Sequence, residues 1–173
     1  MAIQLVFCIE TNRRAATDEI YIRESIRRWY HLSNDVKITM VYMESKTNFN
    51  SKAVISRIRE ASRDFSHGSS HIIYCVDTDN YESNQEQSLL NNEIKTFCQN
   101  NHFELVWFCH NIEEVFLNKS ILRTNKVMEA KSFRRKMQIN NIDGKVLMSC
   151  NQKKNTSNLL LVLDKYLNRK IQD

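Results

Sequence analysis

Acidic residues follow two apolar segments of this chain. Asp77 and Asp79 come directly after the apolar run 71–76, and Glu10 ends an earlier apolar run at 3–9. Carboxylate oxygens are the ligands that hard divalent cations prefer. In open α/β sheets, sites form beyond the carboxyl ends of the strands. The pattern therefore predicts that Glu10, Asp77 and Asp79 converge on a divalent cation.

The elements that would position these acids alternate between strands and helices. Apolar runs predict strands at 3–9, 36–43, 72–76 and 103–109, and helical spacing predicts helices at 18–31, from 51, at 84–99 and at 112–117. Four strand–helix repeats indicate an α/β fold with a central, mostly parallel, four-stranded sheet flanked by helices. Right-handed crossovers then place the ends of the first and third strands at one edge of the sheet.

The C-terminal third continues the chain with further helices. We expect helices at 125–137 and 156–170, with a short fifth strand at 146–150. No linker, repeat or low-complexity tract divides the sequence. It therefore predicts one domain over 1–173, with an α/β core at 1–120 and a basic helical extension at 121–173.

Single residues mark the ends and inner faces of these helices. Asp18 and Thr156 are expected to cap helices, Ser51 opens another helix, and Gly68 stands where a helix C-cap glycine is common. Leu89 is expected to face inward with Leu90, Ile94 and Phe97. Trp29 and Trp107 are expected in the core.

The composition excludes several classes of protein. Because 42% of the residues are apolar and 26% are charged, the chain is globular rather than disordered. No apolar run reaches the roughly 20 residues of a membrane span, and the N-terminus has no secretion signal. Five scattered cysteines without a CxxC pair favour free thiols and a cytoplasmic location. With two glycines and no proline, Walker and Rossmann phosphate loops are absent.

Charge is distributed unevenly along the chain. Residues 1–120 carry 13 Lys and Arg against 16 Asp and Glu, whereas residues 121–173 carry 12 against 4. A basic segment beside an acidic metal site suits a polyanion such as nucleic acid. The candidate phosphate-binding residues are Lys126, Lys131, Arg134, Arg135 and Lys136, together with Arg13 and Arg14 after Glu10. The alternative is that these side chains are ordinary solvated charges.

The arrangement resembles the Rossmann-like TOPRIM fold, and within it the small RloB-type and OLD-type nucleases of bacterial defence systems. Glu10 matches the first acidic motif, and Asp77 and Asp79 match the Asp-x-Asp motif. An Asn followed by a Glu that leads an apolar helix matches Asn111 and Glu114. The resemblance covers residues 1 to about 120. One departure is Thr11, where the family often has glycine.

The resemblance implies a divalent-metal-dependent endonuclease that cleaves DNA or RNA with Mg²⁺ or Mn²⁺, as the effector of an anti-phage system. Asp77 and Asp79 would hold one ion. Glu10 would hold a second ion or act as general base, and Glu114 would complete the catalytic set. The choice between DNA and RNA, and whether the chain forms a homo-oligomer, stay open.

Other interpretations fit the same residues. The chain could be a non-catalytic TOPRIM-like interaction subunit regulated by an ABC-type ATPase partner, or a sensor of a small anion. Asp77 and Asp79 could form Asx-turns, Glu10 could pair with an arginine, and Glu113 and Glu114 could simply favour a helix N-terminus. Cys109 and His110 are possible zinc ligands, but no second Cys/His pair has ligand spacing.

Overall fold

The computed structural model describes residues 2–170, in which strands and helices alternate. The elements are β1 Ala2–Ile9, α1 Thr17–Trp29, β2 Tyr30–His31, β3 Val36–Tyr42, α2 Lys52–Arg63, β4 Gly68–Asp77, α3 Gln85–Asn100, β5 Glu104–Cys109, α4 Ile112–Leu117, α5 Lys126–Arg135, β6 Thr156–Ser157, α6 Leu159–Leu163 and β7 Asn168–Arg169. Short 3₁₀ helices lie at Lys46–Asn48, Arg123–Asn125, Gln138–Asn141 and Gly144–Leu147.

The central sheet has five strands in the order β3-β1-β4-β5-β6. The first four are parallel, and β6 pairs antiparallel with β5. The predicted α/β fold with a mostly parallel sheet is confirmed. Ile9 lies opposite Cys75 in the β1–β4 register, so Glu10 follows β1 at the level where β4 approaches Asp77.

Alternate side chains of β1 pack on opposite faces of the sheet, as a strand period of two requires. Leu5, Phe7 and Ile9 belong to the cluster that packs against α1, α4 and α5. Val6 and Cys8 belong to the cluster under α2 and α3. Both faces of the sheet are therefore covered, which explains the continuous apolar run of β1.

Three helices on one face meet through an aromatic trio. Tyr21 of α1 stacks on Phe116 of α4 with ring centroids 5.1 Å apart, and Phe133 of α5 contacts both rings at 4.9 and 5.7 Å. Each ring is buried. Such offset and tilted aromatic pairs each contribute about 0.5–1.5 kcal/mol beyond their buried area.

Side-chain caps fix the starts of three helices. Ser51 accepts a hydrogen bond from the Val54 amide, and Asn84 accepts one from the amide of Gln87. Asn111 does the same for Glu114 at the start of α4. The prediction that Asp18 is an N-cap is wrong. Asp18 lies in the first turn of α1, which begins at Thr17.

The C-terminal third differs from its prediction. The expected strand at 146–150 is absent from the described residues, where a 3₁₀ turn and loop stand instead. The fifth strand is β6, and the expected helix at 156–170 is reduced to α6. The prediction that Thr156 caps this helix is wrong, because Thr156 lies in β6 and α6 begins at Leu159. Strand pairing explains the change, because β6 joins β5 and β7 joins β2.

Two smaller expectations also fail. Gly68 begins β4 rather than capping a helix, and a Cβ there would lie 1.9 Å from the Ala2 carbonyl oxygen, so close strand contact explains the glycine. Leu89 is 56% exposed, whereas Ile94 is buried. Trp29 and Trp107 lie in the core as predicted.

None of the helices within residues 2–170 has the length and apolar character needed to span a bilayer. All five cysteines are free thiols, and Cys150 alone among them is exposed.

Candidate functional site

Glu10 and Asp77 meet where β1 and β4 end. The Asp77 amide donates a hydrogen bond of 2.6 Å to Glu10 Oε1. The Asp77 carboxylate in turn accepts a 2.9 Å hydrogen bond from the Ile112 amide at the start of α4. The sequence prediction that acids from these two strands converge is therefore supported for this pair.

Two further acids join them from the covering helices. Asp18 of α1 is 8% exposed and accepts a hydrogen bond from the Thr11 amide at 3.3 Å. Glu113 of α4 is 1% exposed. We call Glu10, Asp18, Asp77 and Glu113 the acidic cluster. Four carboxylates in one desolvated region carry a large electrostatic cost unless protons or cations offset it.

The pKa values of Glu10, Asp18 and Asp77 are raised because of this cost. Burial, followed by the charge of Asp18, raises the pKa of Glu10 to about 8. Burial, followed by the charge of Glu113, raises the pKa of Asp18 to about 6. The pKa of Asp77 rises well above its ordinary value because the residue is buried beside Glu10, Asp18 and Glu113. The cluster therefore favours protons, or another positive charge, near neutral pH.

Lys126 supplies one positive charge to the acidic cluster. Its Nζ lies 2.8 Å from Glu113 Oε2. Although burial alone would lower the pKa of Lys126, the hydrogen bond and charge of Glu113 raise it. Among residues 2–170, neither the buried Glu113 Oε1 nor the hydroxyl of Tyr21 has a hydrogen-bond partner. A buried carboxylate oxygen without a donor is costly, and a bound cation would satisfy it.

Asp79 forms an ion pair with Lys46 beside the acidic cluster. Its carboxylate contacts the buried Nζ of Lys46 at 2.5 Å. The same ammonium donates to the Asp77 carbonyl oxygen at 2.8 Å. Asp79 has a positive φ of 51° and its amide donates to the His110 carbonyl oxygen. Asp79 is thus paired with a lysine, while the charges of Asp79 and Lys46 still act on Glu10.

Glu114 lies in the first turn of α4, bonded to the N-cap Asn111, and does not join the acidic cluster. Its amide donates to Asn111 Oδ1 at 2.9 Å, while its Oε1 accepts from Asn111 Nδ2 at 2.8 Å. Its other oxygen lies 3.7 Å from Nδ1 of His110. Glu113 is the glutamate that reaches the cluster.

Sequence reasoning missed Asp18, Glu113 and Lys46 as parts of the site. A signal was present for the first two. Asp18 stands three residues before Tyr21, and Glu113 three before Phe116, so both lie on the inward face of an amphipathic helix. For Lys46, which precedes its partner Asp79 by 33 residues, no local signal exists.

The predicted phosphate-binding residues fall into three groups. Lys131, Arg135 and Lys136 line one groove of about 710 Å³, together with Lys119. Arg134, Arg13 and Arg14 are exposed outside that groove. Lys126 is paired with Glu113, so it belongs to the acidic cluster rather than to the free basic surface.

Potential metal ligands occur in two places. The acidic cluster offers only oxygen donors, which suits Mg²⁺ or Mn²⁺, and the unpartnered Glu113 Oε1 fits such an ion. Within residues 2–170, three ligand atoms lie inside 4.8 Å of one another only at Glu82, Cys109 and His110. The acidic cluster therefore needs side-chain adjustment to close on an ion.

No protein-family model, curated protein or solved structure gives a significant match to this chain. The resemblance to TOPRIM nucleases stays a prediction from the sequence motifs.

Proposed function

We propose that the protein is a Mg²⁺- or Mn²⁺-dependent nuclease that hydrolyses phosphodiester bonds at the acidic cluster. The observation that carries the proposal is the unpartnered oxygen of buried Glu113 in a cluster of four carboxylates with one bonded lysine. A divalent cation would offset this excess of negative charge. The position at the carboxyl ends of parallel strands is where α/β enzymes place their chemistry.

The residues divide the work by their environments. Asp77 and Glu113 would hold the ion, which would lower the pKa of a bound water and neutralise charge on the phosphate. Glu10 has a pKa of about 8 in the ion-free cluster, close to neutral pH, so its carboxyl group suits proton exchange with the attacking water. Lys46 and Asp79 would fix the backbone around Asp77 through the Asp77 carbonyl oxygen.

A basic groove on the exposed side of α5 supports a nucleic-acid substrate. Lys126 in the first turn of α5 pairs with Glu113 on the inner face, whereas Lys131 and Arg135 line the groove on the opposite, exposed face. At 1.5 Å per residue, the ten residues of α5 span about 15 Å, or several phosphates of a single strand. An anti-phage role and an ABC-class ATPase partner rest on the family resemblance and extend this proposal.

The test joins metal binding to cleavage. We expect Mn²⁺ and Mg²⁺ to raise the melting temperature of the protein and to support cutting of plasmid DNA or structured RNA. Asp77→Asn should abolish both effects. Because it replaces a carboxyl group whose ionisation is unfavourable in this cluster with a neutral amide, this variant should melt no lower than the wild type without metal. Glu60→Gln changes an exposed glutamate of α2 and is the matched control.

Two outcomes would oppose the proposal. If neither metal shifts the melting temperature, or if Asp77→Asn leaves the shift intact, the acidic cluster is not a metal site. The metal could also bind as expected while no nucleic acid is cut, even after a candidate ABC-type ATPase partner is added. The non-catalytic interaction subunit is then the better description.

A further inference from the structure

A second group of metal-ligating side chains lies beside the acidic cluster and has no part in the proposed hydrolysis. Cys109 ends β5, His110 follows it, and Glu82 stands in the loop between β4 and α3. One ligand atom from each residue lies within 4.8 Å of the other two. Glu82 is 27 residues before Cys109, so the fold and not the local sequence brings them together.

We infer that Glu82, Cys109 and His110 form a binding site for a borderline transition-metal ion, with Zn²⁺ as the expected occupant. A thiolate, an imidazole and a carboxylate form a mixed donor set that suits zinc, whereas magnesium prefers oxygen alone. A thiolate and a carboxylate would together balance the charge of a divalent ion. The inference does not depend on the acidic cluster or its chemistry.

The imidazole of His110 is already oriented for such a site. Its Nε2 faces the Glu82 carboxylate, with distances of 3.0 and 3.1 Å to the two oxygens. Its Nδ1 faces the Glu114 carboxylate at 3.7 Å. Metal-binding histidines commonly direct their second nitrogen toward a carboxylate, which fixes the ring and raises its basicity. Glu114 is thus a positioning residue for His110.

The three ligands differ in their exposure to solvent. Cys109 is fully buried, the His110 side chain is 20% exposed and that of Glu82 is 51% exposed. Three protein ligands leave the fourth tetrahedral position open, and the exposed side at Glu82 gives solvent access to it. Because a thiol binds metal as its thiolate, metal binding at Cys109 should release a proton.

Cobalt titration of the metal-free full-length protein provides the test, because Co²⁺ replaces zinc and reports a thiolate ligand by its absorption. We expect a single equivalent of Co²⁺ to produce a thiolate-to-cobalt charge-transfer band, which Zn²⁺ then removes. Cys109→Ser should abolish the band. His110→Gln and Glu82→Gln should weaken Co²⁺ binding at least about 10–100-fold, and Glu114→Gln should weaken it by a similar factor or less.

Matched surface variants supply the controls. Cys150→Ser, His67→Asn and Glu86→Gln change exposed residues of the same three types and should leave the titration unchanged. Because replacing the buried Cys109 also perturbs the core, the Glu82 and His110 variants carry the test independently. The inference is overturned if the wild type gives no charge-transfer band, if Cys150→Ser removes it, or if neither Glu82→Gln nor His110→Gln weakens binding.

The test also separates this site from the acidic cluster. Asp77→Asn should retain the cobalt band with unchanged affinity. Loss of the band in that variant would show that cobalt binding at Cys109 depends on the acidic cluster, and it would overturn the inference of an independent site while leaving the proposed nuclease intact. Retention of the band together with an absence of Mg²⁺ or Mn²⁺ binding would refute the nuclease proposal alone.

Discussion

Two groups of potential metal ligands at the same edge of the sheet differ in their balance of charge. In the acidic cluster, as far as the described residues extend, four carboxylates share one hydrogen-bonded lysine, and one buried oxygen has no partner. At Glu82, Cys109 and His110, a single carboxylate contacts an imidazole and faces solvent. Repulsion between carboxylates is therefore unfavourable in the first group, whereas the carboxylate of the second group has a hydrogen-bond partner within the group. The comparison teaches that donor chemistry and charge balance, rather than position in the fold, distinguish the ions that each group would select.

Reciprocal variants give the largest expected effect on this comparison. Glu10→Gln should reduce Mn²⁺-dependent cleavage by at least about 100-fold, because it removes the proton-exchanging carboxylate. It should leave the cobalt absorption unchanged. Glu82→Gln should weaken cobalt binding and leave Mn²⁺-dependent cleavage unchanged. Initial cleavage rates and cobalt titrations on both variants measure this. A variant that impaired both properties equally would show that the two groups act as one site.

The lysine of the acidic cluster provides the next test. Lys126→Met leaves Glu113 buried without its partner and should lower the free energy of unfolding of the metal-free protein by about 1–3 kcal/mol. Lys119→Met removes an exposed pair with Glu129, whose atoms lie 3.4 Å apart, and should cost less than about 1 kcal/mol. Urea unfolding measures both values. Equal losses would mean that the cluster is not electrostatically distinct from the surface.

Protons should stabilise the metal-free protein through the acidic cluster. The folded pKa of Glu10 is about 8 against an ordinary 4.5, and that of Asp18 is about 6 against 3.8. The folded state thus binds more protons than the unfolded chain across this window. The free energy of unfolding should therefore fall as pH rises from about 4 through about 8. Saturating Mg²⁺ should flatten the fall, because metal replaces protons.

Asp77→Asn is the control for the pH experiment and should flatten the same profile without metal. Urea unfolding at a series of pH values gives the measurement. A free energy of unfolding that rises between pH 5 and 8 in the wild type would contradict the raised pKa values.

The smallest effect concerns the basic residues. Lys131→Ala removes a free charge from the groove and should lower the slope of log affinity for nucleic acid against log salt by about 0.7–0.9. Arg63→Ala removes an exposed arginine of α2 and is the control. Fluorescence anisotropy at several salt concentrations resolves the slopes. A slope unchanged in Lys131→Ala would remove this groove as the path of the substrate.

The parallel sheet and the meeting of Glu10 with Asp77 were predictable because both follow from apolar runs and crossover handedness. Ser51 and Asn84 also follow local capping rules. The participation of Lys46 could not be predicted, since it depends on a partner 33 residues along the chain. The short strands β6 and β7 were missed for the same reason. Their pairing with β5 and β2 overrides the helical pattern of the C-terminal segment.

The aromatic trio sets the spacing of charges above it. Tyr21 stands three residues after Asp18, Phe116 three after Glu113, and Phe133 seven after Lys126, so each ring lies on the same helical face as its charged neighbour. The three rings form a shared packing surface between α1, α4 and α5. Phe116→Leu would reduce this surface and let the three helices shift. The shift would change the spacing of the carboxylates and the affinity of the proposed metal site, although no ligand is altered.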